Sequence, residues 1–580
     1  MRAPVLDRLS ARLSRGFAAP VLIALIVLIA ALPGVFSLPV LDRDEARYAQ
    51  ATAQMLATDD FVSINFLDEE RNKKPVGIHW MQAAAVTALT GEEARQIWAY
   101  RVPSVIGALL AALGTFWIGR NLLGARGGLF AGSLMAATVL LGAEAGIAKT
   151  DAMLAGLTTL ALFALLRLRR GADDPTFKRR AWAVAFWGFV GLGTLVKGPV
   201  TPLAAGMAAV VLVVWEAWAA SRVEGAKFWP SLKSQAGWLR PLAFWPGPLL
   251  AILIVVPWLV SVQIATDGAF LREALGDDLG PKMVTGDEGH GGPPGYHLLL
   301  IPLAFLPAVL FLPSGIAAAV RALRAKTDLA FAARVLIAFS LPVWLLFELL
   351  PTKLPHYVLP AYPALAVLCA WGIMEWAQTK ALWRWIGAVL LVLGAFVWTA
   401  AFVYLAIEHD GPAPFAILAG AGLMGLAVFA ALASARGAVR AALLAAIALG
   451  LVWHVAGRGV IAPMTNLSPG PEAARLADQE NLRPDREPVW STYTEPSLVF
   501  TFGGEVTLLD IGPLRETLDA SQPGLVVIDH SRAGEEDAAF LAELEQTACA
   551  SAGLEGYNYS RGRPVRLTLH RIGPCTETTP

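Results

Sequence analysis

Long apolar runs recur along most of the chain, and they constrain its fold more than any other feature. A helix that crosses the hydrocarbon core of a bilayer takes roughly 20 predominantly apolar residues. Such runs lie near 17–38, 100–119, 127–146, 150–168, 181–197, 200–219, 243–264, 297–320, 335–351, 356–376, 383–406, 413–434 and 441–461. By the length rule they predict about thirteen spans. The first run is longer than the core of a signal peptide, and no small-residue cleavage site follows it, so it reads as a retained span. Composition agrees: 56% of the 580 residues are hydrophobic and only 16% are charged, where a soluble domain carries about 25% charged residues. A soluble globular protein, a disordered chain and a coiled coil are excluded together. The 46 basic and 46 acidic residues cancel, so there is no basic surplus for nucleic acid.

Basic residues in short loops set the orientation of such a chain. Arg2, Arg8, Arg12 and Arg15, the 167–180 run, the 222–240 segment, Arg321/Arg324/Lys326/Arg334, Lys380/Arg384 and Arg436/Arg440 all fall on one side when the spans are threaded in order. That side is expected to be cytoplasmic. Residues 76–90 are short and carry His79 and Gln82; counting them as a crossing breaks the charge agreement, so they are read as an interfacial or re-entrant helix on the outer face. The expected architecture is a polytopic α-helical membrane domain over 1–461, followed by a small α/β domain over 462–580 on the outer, periplasmic side. In that tail the runs 498–502, 506–509, 525–529 and 565–571 read as strands, and 534–547 as a helix. Three cysteines are too few for a disulfide framework or a thiolate zinc site. Cys369 reads as packing. Cys549 and Cys575 share the tail, and their spacing leaves open whether they pair.

Charged clusters from distant parts of the chain map to the expected outer face. Asp44, Glu45, Arg47 and Tyr48 open an amphipathic segment just after the first span. Taken alone, this suits a helix anchored at the interface as well as a catalytic rim. Lys73 and Lys74 precede Pro75, which favours an extended or turn geometry at Lys74. Two lysines outside run against the positive-inside rule, and a phosphate at headgroup level is the natural counter-ion. Lys149-Thr150-Asp151 and Lys197-Gly198-Pro199 lie at outer span ends; mutual pairing and plain helix punctuation are the alternatives for them. The long loop 265–297 carries His290, and Pro351–Tyr357 carries His356 and Tyr357. Together the clusters fit one cavity at the membrane surface, with carboxylates for acid–base work and cations for a phosphate. A divalent metal is left open, because no tight ligand motif appears.

On these residues the chain resembles the GT-C superfamily of membrane glycosyltransferases, in particular the lipid A aminoarabinose transferases and protein O-mannosyltransferases. The resemblance rests on D-E-x-R-Y at Asp44–Tyr48, a downstream Lys74-Pro75, Thr150-Asp151 and K-L-P-x-Y at Lys353–Tyr357. It implies a GT-C fold and transfer of a sugar from a polyprenyl-phosphate donor to lipid A or another envelope glycan, at the periplasmic face of a bacterial inner membrane, by a monomer. It also implies Asp44, Glu45 and Asp151 as catalytic residues; Arg47, Lys73, Lys74 and Tyr357 at the donor phosphate; and Tyr48, Lys197, His290 and His356 at the substrate. The family's E-K-P-P reads Lys73-Lys74-Pro75-Val76 here, so an acid associated with a possible metal has become a cation. The alternatives are transfer to a protein acceptor and transport of a lipid-linked sugar. The charges gather at one rim rather than at a midplane, which disfavours transport.

Overall fold

The computed structural model describes residues 16–91, 94–171, 175–223, 227–280, 291–484, 486–503, 506–518 and 522–574; of Val223 and of 277–279 it describes the backbone alone. Among these residues ten helices are long and apolar enough to cross a membrane. The chain is thus a multi-pass helical membrane protein. Ten differs from about thirteen for physical reasons that concern four of the expected runs. The runs at 100–119 and 127–146 are joined in one helix, Ile97–Ala137, which turns at Gly124 with φ of 82° and ψ of −179°. Only glycine adopts that conformation cheaply. Thr176–Lys197 is helical throughout, but Lys178, Arg179 and Arg180 occupy its first turns. The run at 297–320 is broken into Tyr296–Ala304, a short 3-10 turn at Ala308–Leu310, and Leu312–Ala325.

Small residues allow the helices to approach closely. A Cβ at Gly107 would strike the backbone of Met153, so glycine is what lets Ile97–Ala137 lie against Asp151–Arg170. In lipid, van der Waals packing of this kind replaces the hydrophobic drive between helices. Cys369 is buried in that packing, and its thiol donates to the Ala308 carbonyl at 3.3 Å. The segment 76–90 forms the helix Gly77–Leu89. Thirteen residues at about 1.5 Å each are too short to cross the bilayer core.

Between the first span, Ala18–Ser37, and this short helix lie two short antiparallel strands, β1 (Asn65–Phe66) and β2 (Glu69–Glu70), and before them the helix Asp44–Thr58. A buried ion pair fixes where it starts. Glu45 meets Arg101 through two hydrogen bonds of 2.8 and 2.7 Å, and neither side chain is exposed. The carboxylate also accepts from the backbone of Leu41 and Ala148. Arg101 donates its remaining hydrogens to the carbonyls of Gly34, Val35, Leu38 and Pro39. The pair ties the end of the first span, the Ile97–Ala137 helix and the turn before Asp151 to one point.

After the last apolar helix, Val439–Ile461, the chain builds a five-stranded sheet in the order β4-β3-β5-β7-β6. The strands are β3 (Val489–Ser491), β4 (Val506–Leu508), β5 (Gly524–Asp529), β6 (Ala550–Asn558) and β7 (Arg563–Ile572). β3 pairs in parallel with β4 and β5, whereas β7 is antiparallel to β5 and β6. Every residue of β5 is buried, because Leu525 and Val527 face one core and Val526 and Ile528 the other. A sheet covered on both faces is the α/β arrangement expected. One expected strand is corrected: 498–502 belongs to the helix Pro496–Phe502. Proline in the first turn favours a helix start there, despite the apolar run that follows. β3 and β6 were not anticipated. Cys549 is disulfide-bonded, and Cys575 lies outside the described residues.

The sheet domain docks on the residues just before Asp44. Asp42 accepts from the Ser497 backbone at 3.1 Å, and its own N–H donates to the Tyr559 hydroxyl at 2.6 Å. Arg43 reaches Glu495 at 3.6 Å and the Ser560 carbonyl at 3.1 Å. Arg43 holds φ at 67°, a left-handed conformation that side chains disfavour and that surrounding contacts must maintain. Burial pushes the Asp42 carboxyl up to about 6; the Ser497 hydrogen bonds oppose this and the charge of Glu495 adds to it.

Two predictions follow from these contacts. Arg101→Met leaves the Glu45 carboxylate buried without a cation and is expected to cost about 3–5 kcal/mol. Thermal unfolding in detergent measures it, and Glu45→Gln in the same chain is expected to restore part of the loss. Wild-type stability in the single variant contradicts the clamp. Since Asp42 in the fold titrates above the ordinary carboxylate value of about 3.9, its contribution is most favourable below about pH 4 and is lost as pH rises to about 6. Asp42→Asn is expected to remove this component from the pH profile of unfolding, and an unchanged profile speaks against it.

Candidate active site

Asp44 and Glu45 are neighbours with opposite fates. Asp44 stands in the first turn of its helix with 55% of its side chain exposed, 4.0 Å from Arg71. Glu45 points the other way, into the clamp with Arg101. Each Glu45 oxygen accepts two hydrogen bonds inside the protein, which sets Glu45 apart from the other expected site residues as a structural anchor.

Arg71 is the centre of a first group of side chains. Its guanidinium lies 5.0 Å from the Tyr48 ring centroid, and its Nη1 is buried without a hydrogen-bond partner among the described residues. A crevice beside it is lined by Tyr48, Ile64, Arg71, Lys74 and His79. Tyr48 packs on His79 at 5.3 Å, and His79 is held by the Thr52 hydroxyl at 2.8 Å. Burial pushes His79 down to about 3, with Arg71 adding to the shift, so the ring is neutral at ordinary pH. Arg47 is half-buried; burial and then the charge of Arg71 hold it below its ordinary value. Lys74 is half-buried, whereas Lys73 is exposed.

A second group closes on Asp151. Asp151 begins the helix Asp151–Arg170 and Lys197 ends the helix Thr176–Lys197. Acid at a helix start and base at a helix end each suit the backbone dipole. Their side chains meet at 2.5 Å. Lys149 Nζ lies 3.7 Å from Asp151 and 3.0 Å from Glu144. His356 approaches Asp151 through Nε2 and Glu144 through Nδ1, both at 3.6 Å. Tyr357 lies beneath the Lys197 ammonium, 5.7 Å from Nζ to the ring centroid. Alongside, His297 bonds Glu348 at 3.0 Å and Leu354 at 3.1 Å, joining the first turn of the Tyr296–Ala304 helix to the segment that leads into His356. His290 lies outside the described residues.

Tyr48 lies between the groups. Burial pushes its hydroxyl up to about 12, and the charges acting on it come from both sides: Arg71 and Asp44 from one, Lys197 and Asp151 from the other. The structure thus brings Asp44, Arg47, Tyr48 and Lys74 into one group and Asp151, Lys197, His356 and Tyr357 into an adjacent one. Arg71 and Glu144 were missed as functional candidates. Arg71 hides in a run of charges, but an acid at the end of an expected span, as in Gly142-Ala143-Glu144-Ala145, is rare enough to have been a signal. Glu144, Asp151 and His356 place potential ligand atoms within 4.8 Å of one another. This donor set suits a divalent cation by chemistry but not by space, because the Lys149 ammonium lies among the three.

The chain is similar to several known proteins. A family model described as dolichyl-phosphate-mannose-protein mannosyltransferase matches residues 73–260. The undecaprenyl phosphate-alpha-4-amino-4-deoxy-L-arabinose arabinosyl transferase of Pseudomonas paraeruginosa is 28% identical over 374 residues, 63% of this chain and 61% of that protein. The corresponding enzyme of Erwinia tasmaniensis is 27% identical over 333 residues, 56% of this chain and 54% of that protein. The chain thus matches about 61% of the length of the first of these relatives. The crystal structure of ArnT from Cupriavidus metallidurans bound to undecaprenyl phosphate superposes with a TM-score of 0.73 at 19% identity, covering 96% of this chain and 98% of that one. Its apo form gives 0.69 at 20% identity over 94% and 97%. The chain is a membrane protein of GT-C fold. Within that class its sequence is similar to the aminoarabinose transferases, and its fold is theirs.

The two aspartates are expected to differ in what they do for stability. Asp44→Asn, at an exposed position, should change stability by less than about 0.5 kcal/mol. Asp151→Asn withdraws a carboxylate from buried Lys149 and Lys197 and should cost about 3–5 kcal/mol. Thermal unfolding of the two purified variants tests the contrast, and equal effects contradict it.

Proposed function

We propose that this chain is an integral-membrane glycosyltransferase that moves a sugar from a polyprenyl-phosphate donor to lipid A or another envelope glycolipid, on the periplasmic side of a bacterial inner membrane. The observation that carries the reading is the pairing of an exposed carboxylate, Asp44, with Arg71, whose buried Nη1 has no hydrogen-bond partner among the described residues. An exposed acid suits proton transfer with a substrate. An orphaned cationic donor beside Lys74 suits a phosphate, which guanidinium and ammonium groups bind through charge-assisted hydrogen bonds.

The chemistry is a single displacement. An acceptor oxygen attacks the anomeric carbon of the donor sugar, and the bond from that carbon to the phosphate oxygen breaks. The polyprenyl phosphate departs with the electron pair. Arg71, Lys74 and Arg47 stabilise the negative charge as it grows on the leaving oxygen. Asp44 receives the proton when the acceptor is a hydroxyl; a phosphate acceptor, already ionised, needs only orientation. Attack opposite the leaving group inverts the anomeric centre. Asp151, tied to Lys197, positions the helix end beside Tyr48. In this reading Lys73, exposed beside the crevice, meets the substrate's outer charges rather than the leaving phosphate.

Lipid A is favoured as acceptor because the named relatives with extended similarity are aminoarabinose transferases. The mannosyltransferase family match favours a protein acceptor as the second reading. Mass spectrometry of lipid A and envelope glycoproteins from a deletion strain separates the two by the class that loses a sugar. In purified protein, Asp44→Asn is expected to lower transfer to a hydroxyl acceptor about 10²–10⁴-fold, and Lys74→Ala about 10²–10³-fold, with both variants still inserted and folded. Near-normal transfer by both rejects the assignment.

A further inference from the structure

Three potential metal ligands, Glu144, Asp151 and His356, converge at the buried end of the site. Two carboxylates and an imidazole within 4.8 Å of one another are the usual equipment of a divalent-cation site. Their centre is already taken. Lys149 Nζ lies 3.0 Å from Glu144 Oε2, 3.4 Å from His356 Nδ1 and 3.7 Å from Asp151 Oδ2. A metal ion binding the same three groups needs bonds of about 2.0–2.2 Å to oxygen or nitrogen, which brings it against the ammonium. Charge is balanced as well. The carboxylates of Glu144 and Asp151 face the ammonium groups of Lys149 and Lys197, all in side chains at most 16% exposed. A further dication would leave a buried excess of positive charge.

We propose that the Lys149 ammonium is a built-in cation that takes the place of a divalent metal, holding Glu144, Asp151 and His356 together so that this chain's site works without one. Lys149 is then a positioning residue. It fixes Asp151, which holds Lys197 over the Tyr357 ring. The exposed Lys73 fits the same pattern, since it puts a further cation, not an acid, at the rim. The activity part of the inference rests on the glycosyltransferase reading; the metal-binding part does not.

The test uses the full chain purified in detergent, stripped with a chelator, then equilibrated with Zn²⁺ or Mn²⁺ and desalted. Bound metal is measured by elemental mass spectrometry. Wild type is expected to retain no equivalent of metal at this site. Lys149→Met, which keeps an unbranched side chain one atom shorter and removes its charge, is expected to retain one, and adding Asp151→Asn to that variant is expected to abolish it. A wild-type chain that retains an equivalent, lost on combining Glu144→Gln with His356→Ala, overturns the proposal. So does a folded Lys149→Met chain that takes up none. Should Lys149→Met not fold, Lys149→Gln is the second variant, with the same two outcomes. For activity, wild-type sugar transfer is expected to survive chelation unchanged, and loss on chelation with recovery on adding metal contradicts the inference. A wild-type chain with no transfer at all defeats the proposed function, while the metal measurements still decide this one.

Discussion

The Glu45–Arg101 pair is the constraint on which the rest of the site depends. A buried ion pair repays its desolvation only when its geometry is good and its remaining hydrogen bonds are met. Here both conditions hold, because every oxygen and most guanidinium hydrogens find partners on different segments of chain. The pair converts a loop after the first span into a rigid corner. From that corner Asp44 projects outward and the turn 146–150 is delivered to the site. A residue adjacent to the exposed carboxylate thus serves as its foundation.

The sheet domain acts on the same corner from outside. Its contacts to Asp42 and Arg43 maintain a left-handed backbone immediately before Asp44. Strain of this kind persists only where the surroundings over-determine it. The site is accordingly bounded by the clamp beneath and the sheet domain above, with the Asp151 network as its far wall. The first group sets Arg47, Arg71 and Lys74 against Asp44 alone, an excess of positive charge that suits an anionic guest, whereas the Asp151 group balances its own charges.

Much of this was legible in the residues. Run lengths identified a polytopic protein, and the D-E-x-R-Y, Lys74-Pro75, Thr150-Asp151 and His356-Tyr357 segments do approach one another. What could not be read was direction. Asp44 and Glu45 are chemically alike and adjacent, so only the fold decides which is buried, and that depends on Arg101, which lies far along the chain near the start of the Ile97–Ala137 helix. Gly124 and the break near 305–311 are local backbone events that apolar run lengths do not register. Pro496 turned an apparent strand into a helix, and β3 and β6 lacked a strong apolar run: β3 spans only Val489–Ser491, and β6 has no residue fully buried before Asn558 and includes Gly553 and Gly556. Glu144 escaped because it sits at the end of an apolar run, where an acid is expected least and matters most.

The central claim is that Arg71 and Lys74 form the seat of a lipid-linked phosphate. Equilibrium binding of undecaprenyl phosphate to the detergent-solubilised chain tests it most directly, since it requires neither the sugar nor the acceptor. Loss of a charged hydrogen bond is worth about 1.5–3 kcal/mol, so Arg71→Ala and Lys74→Ala should each weaken binding roughly 10–100-fold. Unchanged affinity in both folded variants would place the phosphate elsewhere and contradict the account.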